Sequence, residues 1–275
     1  MVEVVETDSW PMRRAISLAF TSQVNGLDYR LGVSTPFADA PPAGYPVLFV
    51  LDGDANFGAA SETARNQSIF SPGVDAAVVV AIGYPVGELR DILRRRYLDL
   101  TTPAPPEPMA PSDPYFGSVT GGMDGFLDVV EHEILPIVAG RFPIDDGRRA
   151  LFGHSLGGLT ALRALLTRPA LFDSVVASSP SLHWDDRAIF GDAERFLAST
   201  PTGERQPALL ISVGALEDGT FPMTGNARDM ADRLKPAVGS RLRALSLHVF
   251  GDENHDSVVL PALSRAVRFA FKTTD

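Results

Sequence analysis

A serine flanked by glycines stands where a short apolar run meets a segment of helical periodicity. The apolar run 150–152 is followed by Gly153-His154-Ser155-Leu156-Gly157-Gly158, and leucines at helical spacing come directly after it. This is a Gly-x-Ser-x-Gly pattern at a strand-to-helix junction, where a β-carbon at either flanking position would strike the neighbouring chain. The turn forces the central serine into a strained conformation with an exposed hydroxyl. The pattern predicts that Ser155 is a nucleophile; the other interpretation is a glycine-rich turn with an incidental serine.

A nucleophilic serine needs a general base, and the candidates are histidines downstream of it. With this turn the order along the chain is serine, acid, histidine, and the histidine lies on a loop after the last strand. His255 lies in the polar loop 251–257, whereas His248 falls within the strand pattern 245–250. We therefore predict His255 as the base. The other histidines are His132 on an acidic helix, His154 within the turn, and His183, a candidate for lining the pocket.

Two adjacent carboxylates follow the strand pattern 209–213, where the acid of such a triad is expected. Position along the chain hardly distinguishes Glu217 from Asp218. We predict that Glu217 orients the imidazole, with Asp218 as the first alternative. Asp252 and Asp256, close to His255, are minor alternatives. A carboxylate that is not used is expected to be solvated.

An attacking serine also needs two N–H donors for the oxyanion that forms on the substrate. One is the backbone amide of Leu156, directly after the nucleophile, at the positive end of the following helix. The other is expected in the loop after the strand pattern 47–51, where Gly53 and Asp54 are the candidates. An ordinary Asp-Gly turn is the alternative interpretation of that loop.

These residues must be positioned by the elements around them. Apolar runs rich in Val, Ile and Leu alternate with helical patterns, which indicates a mostly parallel sheet covered on both faces. Strands are predicted at 15–21, 28–34, 47–51, 76–82, 150–152, 174–177, 209–213 and 245–250, and helices at 59–68, 122–139, 157–167, 224–235 and 258–271.

Composition excludes several classes of chemistry. The 275 residues include 24 Lys and Arg, 34 Asp and Glu, five His and no Cys, which gives a net charge of −10. Without cysteine there is no thiol nucleophile, disulfide, Cys-ligated zinc site or iron–sulfur cluster. The negative charge opposes binding to phosphate backbones, and no basic block compensates for it. We predict no nucleic-acid partner.

The chain is expected to be a single domain, residues 1–275, without a membrane partner. No apolar stretch approaches the roughly 18–20 residues that a membrane helix needs. Residues 1–10 lack the basic start and apolar run of a secretory signal, which favours the cytoplasm or a secreted form already trimmed. Two segments interrupt the alternation, a proline-rich loop at 102–114 and a cap-like excursion at 181–206. The sequence predicts no particular oligomeric state.

Five motifs occur together in this chain. They are the run 45–54, the turn 153–158, Ser178-Ser179-Pro180-Ser181 with Trp184, Gly214-x-x-Glu217, and Asn254-His255. Together they resemble the putative-esterase group of the α/β-hydrolases, and within that group the similarity is greatest to the siderophore hydrolases, the esterases that cut enterobactin-type trilactones. The resemblance implies an α/β-hydrolase fold, with a twisted, mostly parallel sheet and helices on both faces. It also implies Ser155, His255 and Glu217 as nucleophile, base and acid.

The same resemblance implies arginines at the mouth of the site that hold anionic substrates. Arg94, Arg95 and Arg96 match that segment, and guanidinium groups suit bidentate contact with carboxylate or catecholate oxygens. The alternative is a solvated helix end whose arginines pair with nearby carboxylates. The carboxylates in question are Glu88, Asp91 and Asp99, and the further candidates for substrate contacts are His183 and Trp184 in the excursion.

The function predicted from these residues is that of a serine carboxylic-ester hydrolase, which forms an acyl-enzyme on Ser155. Its substrate is a small-molecule ester, with siderophore-type trilactones as the specific candidate. The chemistry requires neither a metal nor an organic cofactor. The alternatives are a general short-chain carboxylesterase, a carbohydrate-ester (acetyl or feruloyl) esterase, an acyltransferase, and a hydrolase-fold binding protein without turnover.

Overall fold

The short apolar runs form the strands of one sheet, and the segments of helical period lie between them. The computed structural model describes residues 12–70, 73–104, 118–200 and 205–273. The strands are β1 (Ala15–Thr21), β2 (Asp28–Ser34), β3 (Tyr45–Val50), β4 (Val78–Gly83), β5 (Ile144–His154), β6 (Ser174–Ser178), β7 (Ala208–Gly214) and β8 (Ala244–Phe250). The helices are α1 (Gly53–Phe70), α2 (Leu89–Asp99), α3 (Met123–Val129), α4 (Leu135–Arg141), α5 (Leu156–Thr167), α6 (Trp184–Arg187), α7 (Ile189–Ala198), α8 (Met223–Leu234) and α9 (Val259–Phe271).

The order of the strands explains where a site can form. The sheet runs β1-β2-β4-β3-β5-β6-β7-β8; β1, β2 and β4 pair antiparallel, and all other neighbours pair parallel. From β3 the chain first moves outward to β4 and later returns to β5 on the other side. The loops that leave the carboxyl ends of β3 and β5 therefore diverge and open a crevice at this switch point. The predicted mostly parallel α/β-hydrolase fold is confirmed.

Helices cover both faces of the sheet, as the continuous burial along β3 requires. Val47 and Phe49 belong to one apolar cluster, which is completed by helices that include α3, α5, α7 and α8. Leu48 and Val50 belong to a second cluster on the other face, with α1 and α9. Residues of both faces are fully buried, which is why the strand reads as a continuous apolar run.

All eight predicted strands are present, but some of the helices differ from the prediction. Helix α1 begins at Gly53 rather than at residue 59, because the loop after β3 has only two residues, Leu51 and Asp52. Asp52 has φ +55°, and its carbonyl accepts the N–H groups of Ala55 and Asn56. Helix α2, which carries Arg94–Arg96, was not among the predicted helices, although the alternative of a helix end anticipated it.

The predicted helix 122–139 contains a wider turn. Residues Val130–Ile134 form a π-helical turn between α3 and α4, in which Leu135 N–H donates to the carbonyl five residues back, that of Val130. Pro136 lies at the start of α4, and because proline has no N–H the regular helical ladder is interrupted there. The helix thus continues past its proline with an altered register.

The two irregular segments predicted from sequence lie partly outside the described residues. Of the proline-rich loop 102–114, residues 105–114 are outside, and of the excursion 181–206, residues 201–204 are outside. The described part of the excursion contains α6, a single turn in which Asp185 and Asp186 have positive φ, followed by α7. Within the described ranges, no helix is both long and apolar enough to cross a membrane.

Candidate active site

The serine turn lies at the switch point, between the end of β5 and the start of α5. Ser155 has φ +58° and ψ −119°, a conformation that non-glycine residues rarely adopt. A Cβ on Gly153 would lie 2.0 Å from the carbonyl oxygen of Gly157, and a Cβ on Gly158 would lie 2.7 Å from that of Ser178. The glycines are therefore needed because the strand and the helix approach each other at backbone contact distance.

Replacing Gly153 by Ala is expected to lower the free energy of unfolding by about 3 kcal/mol or more, because backbone atoms cannot move aside as a flexible side chain would. The measurement is urea-induced unfolding followed by circular dichroism. Gly219→Ala is the matched control, since Gly219 is exposed and a Cβ there meets no atom within 4 Å. We expect it to remain within about 0.5 kcal/mol of the wild type. Equal stabilities for the two variants would contradict the packing argument.

Three side chains from three loops form a continuous chain of hydrogen bonds. Ser155 Oγ lies 3.1 Å from His255 Nε2, and His255 Nδ1 lies 2.8 Å from Glu217 Oε2. The Glu217 side chain is fully buried, whereas that of His255 is 39% exposed. A hydroxyl, an imidazole and a carboxylate in this order can transfer a proton from the serine to the histidine and stabilise the resulting imidazolium.

The buried carboxylate of Glu217 is held in its charged form by its hydrogen bonds. Its Oε1 accepts from the hydroxyl of Ser179 at 2.6 Å and from the N–H of Gly214 at 2.5 Å. Burial alone would raise the pKa of Glu217, but the hydrogen bonds from His255, Ser179 and Gly214 outweigh it and the pKa is lowered. The group is therefore a carboxylate at neutral pH, able to accept a hydrogen bond from the imidazole N–H.

Glu217 rather than Asp218 is the carboxylate that the structure brings to His255. Asp218 is exposed and accepts the N–H of Thr224 at 2.8 Å, together with the hydroxyl of that residue. Asp252 and Asp256 are also exposed. The predicted set Ser155, His255 and Glu217 is thus the one assembled in space.

The loop that carries His255 is held by hydrogen bonds within the loop and by one from the loop that carries Glu217. The side-chain oxygen of Asn254 accepts the N–H groups of Asp256 at 3.0 Å and of Ser257 at 2.9 Å. The N–H of Leu216, next to Glu217, donates to the carbonyl of Glu253 at 3.0 Å. Such short-range bonds fix the imidazole relative to its acid without burying it.

Two other histidines lie close to this chain. The ring centroid of His154 is 4.7 Å from that of His255, and burial, aided by repulsion from His255, lowers the pKa of His154 to about 3. His183 stacks on Phe221 with centroids 3.7 Å apart, and burial lowers its pKa too. Both rings are therefore neutral at pH 7, and they pack beside the reacting groups as uncharged surfaces.

The backbone amides predicted for the oxyanion site lie in the first turns of two helices, one on either side of the crevice. Leu156 is the first residue of α5 and Asp54 the second of α1. Over the described residues neither N–H has a hydrogen-bond acceptor, as expected in a first helical turn. Gly53 is required by packing, since a Cβ there would lie 2.8 Å from the backbone of Ile82. The Asp54 carboxylate is turned away, towards the Tyr84 N–H at 2.9 Å and Arg30.

Arg96, one of the three candidate arginines, forms hydrogen bonds both to the loop after β3 and to the serine turn. Arg96 Nε donates to Asp52 Oδ1 at 2.6 Å, and a terminal nitrogen of Arg96 lies 3.4 Å from the carbonyl oxygen of His154. Asp52 directly precedes the Gly53–Asp54 amides, and His154 directly precedes Ser155. Both side chains of the ion pair are only 13% exposed. Arg96 therefore joins α2 to the loop after β3 and to the serine turn.

Replacing Arg96 by Gln is expected to lower kcat for p-nitrophenyl acetate by about 10- to 100-fold with little change in KM, because small displacements of catalytic groups are costly. Steady-state kinetics on this uncharged substrate checks it. Arg90→Gln, on the exposed first turn of the same helix, is the control and should be within twofold of the wild type. A wild-type kcat in Arg96→Gln on this substrate would show that Arg96 is not a positioning residue.

The other two arginines make different contacts. Arg95 lies over the rings of Tyr29 and Tyr84, at 5.2 and 5.0 Å from the centroids, and pairs with the buried Asp99 at 3.4 Å. Arg94 lies 3.8 Å from Asp91, with its side chain 41% exposed. The alternative pairing with Asp91 and Asp99 is thus observed. Substrate contacts by Arg94 and Arg95 remain a prediction.

Trp184 borders a cavity of about 250 Å³ beside the serine helix. Its indole N–H points at Thr102, 3.2 Å from the hydroxyl oxygen and 3.3 Å from the carbonyl oxygen, and its ring makes an edge contact with Tyr97. Leu159 also lines the cavity, and its N–H donates to the carbonyl of Ser155. The cavity therefore begins one helical turn from the nucleophile. Among the described residues there is no group of three or more His, Asp or Glu side chains that could hold a metal ion.

Sequence reasoning missed the residues that support the triad. Ser179 donates to Glu217, Ser181 Oγ lies 3.3 Å from Ser155 Oγ, and Phe221 stacks on His183. The run Ser178-Ser179-Pro180-Ser181 entered only as part of the resemblance. Its position was a usable signal, because a polar run at the carboxyl end of the strand next to β5 must face the same crevice.

Comparison with known proteins identifies the class to which this fold and site belong. Residues 22–218 match the family described as "Putative esterase". The match spans well over half of the chain and includes Ser155 and Glu217. The chain belongs to this family.

Similar proteins indicate what kind of esterase this is. The ferri-bacillibactin esterase BesA of Bacillus subtilis is 35% identical over 245 residues, covering 88% of this chain and 84% of that protein. The siderophore triacetylfusarinine C esterase of Aspergillus fumigatus is 35% identical over 250 residues, 82% of each chain. The crystal structure of the BES protein from Bacillus cereus is 31% identical with a TM-score of 0.87, covering 98% of this chain and 100% of that one. The protein is a serine esterase with small-molecule ester substrates.

Proposed function

We propose that this esterase hydrolyses siderophore esters through an acyl-enzyme on Ser155, with His255 as general base and acid and Glu217 as its orienting carboxylate. The observation that carries the proposal is the unbroken hydrogen-bonded chain from Ser155 Oγ through His255 to the buried Glu217. Its nucleophile stands on a strained turn at the mouth of a crevice, where a substrate carbonyl can approach.

In the first half-reaction Ser155 Oγ forms a bond to the ester carbonyl carbon while its proton passes to His255 Nε2. The carbonyl π electrons become an oxyanion, which accepts hydrogen bonds from the amides of Leu156 and Asp54. When the tetrahedral intermediate collapses, the C–O bond to the alcohol breaks and His255 returns the proton to the leaving oxygen. The products are a free alcohol and an acyl-Ser155 ester.

In the second half-reaction water replaces the alcohol. His255 takes a proton from the water as its oxygen attacks the acyl carbon, and the same amides hold the second oxyanion. Collapse breaks the bond to Ser155 Oγ, which recovers the proton from His255. Glu217 remains a carboxylate throughout and stabilises the imidazolium in both steps, as its lowered pKa permits.

The siderophore part of the proposal is supported by the relatives and by the surroundings of the nucleophile. Two relatives, each about one third identical, are named as esterases of ferri-bacillibactin and of triacetylfusarinine C. The stacked rings of His183 and Phe221 offer a flat surface, and the cavity at Trp184 is lined by both apolar and charged side chains. We assign His183 and Trp184 to substrate contacts there, and Arg96 to holding the turn.

The proposal predicts a preference that steady-state kinetics can measure. We expect kcat/KM for bacillibactin or triacetylfusarinine C, with or without bound iron, to exceed that for p-nitrophenyl acetate, butyrate and octanoate by about 100-fold, equivalent to about 2.7 kcal/mol of transition-state binding. Higher kcat/KM for p-nitrophenyl butyrate than for both siderophores would contradict the substrate assignment and make the enzyme a general short-chain carboxylesterase. The same serine chemistry would still apply.

A further inference from the structure

A second, strongly cationic cavity lies at the opposite edge of the sheet from Ser155. Its volume is about 480 Å³, and it is formed where β5, β6 and β8 begin and α9 ends. Ser155 follows the carboxyl end of β5, so the length of the strand separates the two sites. The charged residues that line the cavity are Arg148, Arg149, Arg243, Lys272, Asp75 and Asp173.

The two carboxylates in this cavity are already paired. Asp75 forms an ion pair with Arg148 at 2.7 Å, and Asp173 forms one with Arg205 at 2.9 Å. Asp173 also accepts the backbone N–H of Arg149 at 2.9 Å. Asp173 also attracts Arg149 and Arg243, so the two carboxylates offset the four cations that line the cavity only in part.

Three cations remain without a carboxylate within ion-pair distance in the described part of the chain: Arg149, Arg243 and Lys272. Arg243 bonds only to neutral oxygens there, the Ser174 hydroxyl at 3.3 Å and the Gln206 carbonyl at 3.5 Å. The Arg149 guanidinium makes no hydrogen bond to a described residue, and its Nε is buried without a partner. Burial and repulsion from Arg205 lower the pKa of Arg149, and attraction by Asp146 and Asp173 offsets this lowering only in part.

From this juxtaposition we propose that the cavity is a binding site for a small anion with two or more charges, bearing phosphate or carboxylate groups. The half-buried Arg149 and the exposed Arg243 line this cavity together with Lys272 and Ser174, and such groups are suited to oxyanions, which guanidinium binds in bidentate fashion. The rest of the protein carries an excess of negative charge and repels anions, with a net charge of −10. Binding must therefore come from these local groups and not from the overall field.

Isothermal titration calorimetry of the full chain tests the proposal. Inorganic phosphate and citrate are the probes, and sodium chloride at equal ionic strength is the reference. We expect saturable binding of phosphate, of citrate or of both, and none of chloride. Tighter phosphate binding would assign the site to phosphate groups, and tighter citrate binding to polycarboxylates. If neither anion bound saturably, the proposal would be overturned.

Substitutions of the lining residues test whether the anion binds in this cavity. Arg149→Gln and Lys272→Gln, made separately, should each weaken binding of the better probe by at least about fivefold, whereas Arg141→Gln, an exposed arginine on α4, should stay within twofold. Lys272 is exposed, so its variant keeps the test valid if Arg149→Gln fails to fold by circular dichroism. Wild-type affinity in folded Arg149→Gln or in Lys272→Gln would overturn the proposal. The readout does not depend on esterase activity.

Discussion

Ser155→Ala is expected to lower kcat/KM for p-nitrophenyl acetate by about 10⁴-fold or more, because the substitution removes the atom that forms the acyl-enzyme. The turn should persist, since the strained backbone is imposed by the close approach of β5 and α5 and not by the serine hydroxyl. Residual activity would reflect the oxyanion amides and substrate binding alone. Initial rates, together with a circular dichroism spectrum identical to that of the wild type, check the prediction.

Ser17→Ala provides the control, because Ser17 is an exposed serine on the edge strand β1. We expect it to retain the wild-type rate within twofold. A Ser155→Ala enzyme that kept more than a tenth of the wild-type rate would exclude Ser155 as the nucleophile.

Glu217→Gln is expected to lower kcat by about 10³-fold at pH 7 with little change in KM. The amide has nearly the same shape, but it can donate to His255 Nδ1, which favours the tautomer whose Nε2 carries the proton. That tautomer cannot accept the proton of Ser155. The buried side chain would also lose the charge that stabilises the imidazolium, and Ser179 and Gly214 would lose a charged acceptor.

Asp218→Asn is the matched control for this substitution. It makes the same chemical change one residue further along, at an exposed side chain bonded to Thr224. We expect kcat within twofold of the wild type. If Asp218→Asn were the impaired enzyme and Glu217→Gln the active one, the assignment of the acid would be wrong.

The serine turn and the sheet could be predicted from sequence because their causes are local. Gly153, Ser155 and Gly157 are within one turn of chain, and their spacing reflects backbone contacts a few residues apart. The strands are apolar runs buried on both faces, so they are visible without knowledge of their neighbours. His255 could be chosen because its loop follows the last strand.

Other features depend on packing between distant segments and could not be predicted in the same way. Glu217 and Asp218 are adjacent in sequence, and only the turn after β7 determines which one points inward to His255. Arg96 meets Asp52 because α2 packs across the loop after β3, a contact between residues 44 positions apart. The start of α1 at Gly53 depends on Asp52 adopting a positive φ. A sequence of Asp and Gly residues is equally compatible with an open turn at this place.

Reaction with a fluorophosphonate probe tests the central claim, that Ser155 is a nucleophile activated by His255, most directly. Intact-mass spectrometry should find one adduct per chain, and peptide mapping should place it on Ser155. Ser155→Ala should show no adduct, and His255→Gln should label at least about 100-fold more slowly, because the proton of the hydroxyl then has no acceptor. A wild-type protein that does not react, or an adduct that persists in Ser155→Ala, would contradict the account.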